Sequence, residues 1–89
     1  MHDVSVSKIN DTTFEVSVQG RSATRHTVTV PPQYAEQLTG GSVSTEQLVR
    51  HSFDFLLERE PNTSILRSFE LSVIARYFPE YESVIRDLL

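Results

Sequence analysis

The chain has 89 residues, 38% hydrophobic and 22% charged, with a net charge of −4 and no cysteine. Such a length suits one domain over 1–89, and the missing cysteines rule out disulfides, thiolate chemistry and Cys-based zinc sites. The acidic balance counts against nucleic acid as the main partner, because affinity for it rests on neutralising phosphates. The second half, 44–89, is the more acidic, with five Arg against eight acids, whereas 1–43 sums to only −1.

The first residues, Met-His-Asp-Val-Ser-Val, lack the basic start and apolar run of a signal peptide, and no window is long enough to span a bilayer. A cytoplasmic protein that does not use the membrane is expected. From Val4 to Val30 the apolar residues recur with period two, the mark of half-buried strands. Phe14, Val16 and Val18 share one side, and His26 shares the parity of Val28 and Val30. Asn10-Asp11 and Gly20-Arg21-Ser22-Ala23 supply turns, so the spacing predicts a three-stranded antiparallel meander that Pro31-Pro32 ends.

Gln33 to Leu38 is expected to form one or two helical turns before Gly40-Gly41. The helix predicted from about Thr45 to Glu60 carries the strongest signal. Ser44 followed by Gln47 is a capping box, and Pro61 marks the end. At about 100° per residue its apolar residues cover an arc of about 200°, twice what one docking face needs. This spine helix must therefore be covered on two sides, by the sheet and either by later helices or by a second copy in a homodimer.

Beyond Asn62 the apolar phase breaks, which predicts two short helices near 63–69 and 72–78 with Leu71 between them. Pro79 suits the first turn of a last helix, in which Tyr81, Val84, Ile85, Leu88 and Leu89 share a side. The expected fold is α+β, with strands at about 4–30 packed on a bundle of three to four helices at about 44–89.

Chemistry-bearing motifs are absent. His2, His26 and His51 have no ligand-pair spacing, so no metal or other cofactor is expected, and His26 reads as a structural histidine of the sheet. His51, Ser52 and Asp54 are too close along one helix to converge as a triad, and no nucleophile elbow or phosphate loop occurs. The expectation is a protein without enzymatic activity. Arg21, Arg25 and His26 gather around the second hairpin, where they suit an anion or an acidic partner if they do more than solvate the turn. Leu71 to Phe78 faintly suggests the start of a helix-turn-helix, but the acids at Glu80 and Glu82 would repel phosphates from its second helix. Tyr77, Phe78 and Tyr81 are expected in the core with hydroxyls at the rim, and Arg76, Tyr77, Tyr81 and Arg86 otherwise form a protein-interaction surface. The sequence thus favours a small binding or regulatory module acting through protein contacts. Two alternatives stay open: an antitoxin-like nucleic-acid regulator using the arginine hairpin or C-terminal helices, and an enzyme with a shallow polar site.

Overall fold

The computed structural model describes residues 3–20 and 22–89. His2 and Arg21 lie outside the described residues. Among these, the chain runs β1 (Asp3–Lys8), β2 (Thr13–Gln19), β3 (Ala23–Thr29), α1 (Pro32–Thr39), α2 (Thr45–Leu57), a 3-10 turn (Asn62–Ser64), β4 (Ser68–Glu70), α3 (Val73–Tyr77) and α4 (Tyr81–Leu88). The class is α+β, and no described helix is long and apolar enough to cross a membrane.

The first three strands form the antiparallel meander, in a register that places Val4 beside Val18, Val6 beside Val16 and Phe14 beside Val28. Alternation therefore sends Val4, Phe14, Val16, Val18, His26 and Val28 to one buried layer. The sheet does not stop there. β4 joins β3 in parallel, giving the order β1-β2-β3-β4, so the sheet is mixed and four-stranded rather than a three-stranded meander. The helix expected at 63–69 is replaced by the short 3-10 turn and this strand. Phe69 and Leu71 turn inward while Ser68 and Glu70 stay exposed, a period-two pattern confined to four residues.

α2 occupies the position of the spine. Ser44 accepts from the Gln47 backbone N–H at 3.1 Å, and the Gln47 side-chain oxygen accepts from the Ser44 N–H at 3.2 Å, completing the capping box. Replacing Ser44 by alanine should cost about 0.5–2 kcal/mol in urea denaturation, and an unchanged midpoint would remove the box from the account of stability. The two sides of the helix are distinguished by its aromatic residues. Phe53 meets His26 and Phe69 of the sheet layer at ring-centroid distances of 5.4 and 6.1 Å. Phe55, two residues on and so about 200° round the axis, meets Phe78 and Tyr81 edge to face at 5.8 and 5.3 Å.

Both sides are therefore contacted within one chain. Leu48, Val49, Ser52, Phe53, Phe55 and Leu56 are buried, and Leu57, the remaining apolar member of the arc, is half-buried. α1, which starts with Pro32 at its first turn, ties to α4 through the Tyr34 hydroxyl donating to Glu82 at 2.8 Å. α4 begins at Tyr81, two residues after Pro79, which therefore precedes the helix instead of occupying its first turn. Tyr81 and Ile85 face the core, whereas Leu88 is exposed.

Candidate protein-interaction site

Core packing leaves four large hydrophobic side chains exposed among the described residues: Ile9, Leu66, Tyr77 and Leu88. Leu66, 48% exposed, and Tyr77, 67% exposed, belong to the same feature. They flank a cavity of about 350 Å³ whose walls include Leu56 of α2, Ile65, Phe69 of β4, Ile74 of α3 and Phe78. Glu60 also lines it and is the charged side chain of this lining among the described residues. Burial against the apolar wall raises the Glu60 carboxyl above its ordinary pKa. The groove is open at the surface, apolar at its base and marked by one carboxylate.

A hydrogen-bonded chain positions its near wall. The Asn62 amide donates to the Ser22 carbonyl and to Thr24 Oγ1, both at 2.9 Å. His26 Nδ1 lies 2.7 Å from the Leu66 carbonyl, which can only accept, so Nδ1 carries the hydrogen. In the neutral ring Nε2 is then an acceptor, and the Thr24 hydroxyl donates to it at 2.9 Å. The sequence Asn62 to Thr24 to His26 to Leu66 is satisfied throughout and pins the segment before β4 to β3. A second buried pair, Ser52 Oγ and Tyr81 OH at 2.6 Å, sits under α4. Ser52 donates to the Leu48 carbonyl at 2.7 Å, which leaves Tyr81 as donor to Ser52. Burial, with a smaller contribution from the nearby Glu82 carboxylate, pushes the Tyr81 phenol above its ordinary pKa, so it stays protonated.

At the far end Arg59 is held from several sides, including an ion pair with Glu58 at 3.6 Å. Its guanidinium lies 3.6 Å from the centroid of the Phe55 ring, donates to the Phe55 carbonyl at 3.0 Å and pairs with Glu80 at 3.4 Å. These contacts fix the turn that carries Glu60 to the groove.

The residues singled out in the sequence separate accordingly. Arg76 and Tyr77 are exposed on α3 and Arg86 on α4, but Tyr81 is fully buried with its hydroxyl spent on Ser52. Tyr81 is thus removed from that surface, and its hydroxyl is internal rather than at the rim. Tyr77, by contrast, is not a core aromatic, because the short α3 ends as its ring emerges. In the hairpin group, Arg21 lies outside the described residues and Arg25 is exposed. His26 is buried and both ring nitrogens are engaged, so it offers an anion nothing. Arg25 instead shares a polar groove on the outer sheet face with Arg67, Ser17, Gln19 and Thr24. His51 is half-buried on α2 and lines neither groove.

Leu66, Phe69 and Glu60 were not singled out by pattern. Their signal was the adjacent pair Ile65-Leu66, since neighbours in extended chain point to opposite faces and one of the two must leave the core. The fold is a small α+β domain with an open, largely apolar groove. No family model, curated protein or solved structure matches the chain.

Proposed function

We propose that the protein is a non-enzymatic binding module that holds a segment of another protein in the groove between β4 and α3. The observation that carries this reading is the convergence of Leu66 and Tyr77 on one concave apolar surface, walled by residues whose other sides belong to the core. Concave apolar surfaces with a few polar groups are where ligands and partners bind. The test is to pan a random peptide library displayed on phage against the full chain. Selected peptides are expected to lose at least about tenfold in affinity for Leu66→Ser and Tyr77→Ser, a loss equivalent to one good contact, while the melting midpoints of these exposed-site variants stay near that of the parent. Selection of nothing, or of peptides indifferent to both substitutions, would overturn the reading.

A second reading is favoured by one observation. Arg25 and Arg67 line the outer-face groove, and neither makes an ion pair among the described residues. An anion, including a nucleic-acid phosphate, would suit two such guanidinium groups. Duplex DNA or RNA binding that falls steeply with salt and is lost in the double variant Arg25→Gln, Arg67→Gln would favour it, and no binding at low salt would remove it.

A further inference from the structure

β4 is the last strand of the sheet, with β3 on one side and, among the described residues, no further strand on the other. The Arg67 carbonyl accepts from the Thr27 N–H at 2.7 Å, and the Leu71 N–H donates to the Thr29 carbonyl at 2.9 Å. Along a strand in a parallel ladder, successive residues direct their backbone groups to opposite sides. Arg67, Phe69 and Leu71 therefore address β3, while Ser68 and Glu70 present their N–H and C=O groups to the open edge, where both residues are exposed. Phe69, between them, turns its side chain into the groove wall. The groove thus continues the inner layer of the sheet just past its last strand.

We infer that the occupant of the groove is an extended segment of another protein that adds to β4 as a further strand, with apolar side chains at alternate positions entering the groove and a Lys or Arg meeting Glu60. This rests on the reading of the groove as the binding site. Strand addition draws affinity from main-chain hydrogen bonds and specificity from pockets that accept every second side chain, and the edge of β4 and the groove supply these in adjacent places. The charge of the occupant follows from Glu60, whose carboxylate stands against apolar walls without a cationic partner among the described residues. A second copy of this chain fits less well. A two-fold contact across β4 sets each patch against its own equivalent, which brings Glu60 and Glu70 of one chain toward the same acids of the other, on a protein already at −4.

The test uses synthetic peptides taken from the phage selection on the full chain. Binding is expected to slow amide exchange at Ser68 and Glu70. Methylating alternate peptide nitrogens should weaken binding by more than about tenfold, the scale of a lost hydrogen bond with its geometry, while methylating the intervening ones has little effect. Glu60→Gln should weaken peptides that carry Lys or Arg by about tenfold, as expected for loss of a charge-assisted contact, and leave the melting midpoint unchanged or higher. Peptides that depend on Leu66 and Tyr77 but bind as helices, without altering exchange at Ser68 and Glu70, would overturn strand addition and leave the groove reading in place. Peptides that ignore Leu66 and Tyr77 would overturn both. Slowing of the same two amides by raising the concentration of the chain alone would name a second copy as the occupant and overturn the inference.

Discussion

Phe53→Ala is expected to cost about 3–5 kcal/mol, the range for emptying a buried aromatic position. Phe53 is fully buried, and its ring stands between His26 of β3 and Phe69 of β4. The substitution would open a void at the junction of the spine helix with the two strands that frame the groove. Domains of this size have a total stability of about 5–15 kcal/mol, so the variant would be close to unfolding at room temperature. Urea denaturation followed by far-UV circular dichroism checks this. A loss well under 1 kcal/mol would mean that α2 is not seated on the sheet through Phe53.

His26→Phe should cost about 1–3 kcal/mol, the penalty for leaving a buried polar partner unpaired. An aromatic ring is kept in the layer, and because phenyl is bulkier than imidazole, any overpacking adds to the loss. The Leu66 carbonyl would lose its donor at 2.7 Å and the Thr24 hydroxyl its acceptor. The consequence reaches the proposed binding site, because the same bond fixes the backbone that carries Leu66 to the groove. Faster amide exchange from Ile65 to Phe69 should accompany the loss in stability. An unchanged midpoint with unchanged exchange would show that His26 is a packing residue alone.

Much of this architecture was legible because its signals are long. The alternation through Phe14, Val16, Val18, His26 and Val28 runs over several repeats of the same pattern, and it gave His26 the parity of the inner face while leaving open whether it stood at the sheet margin or inside, where it is buried. Ser44 and Gln47 likewise fix the start of α2 through a local rule that tertiary contacts have no reason to override. The wide apolar arc of α2 called for two covering surfaces, and the aromatic contacts of Phe53 and Phe55 identify them as the sheet and the C-terminal helices. β4 was missed for the opposite reason. Three residues are too few to establish a period, and their extended conformation depends on β3 and on the anchored Asn62, both distant in sequence. The groove was illegible with it, since its wall exists only once β4 lies beside α3. Tyr77 was visible as an interface residue type, but nothing local separates it from Tyr81, which the Ser52 hydroxyl draws inside.

One chain buries its own spine helix, and we propose that the apolar groove stays free for a different protein. Solution mass by light scattering across a concentration series tests it most directly. A constant mass of 10.1 kDa, that of the single chain, is the predicted result. A mass near twice that value at the lowest concentration would contradict the account, because a second copy would then cover apolar surface assigned here to a partner.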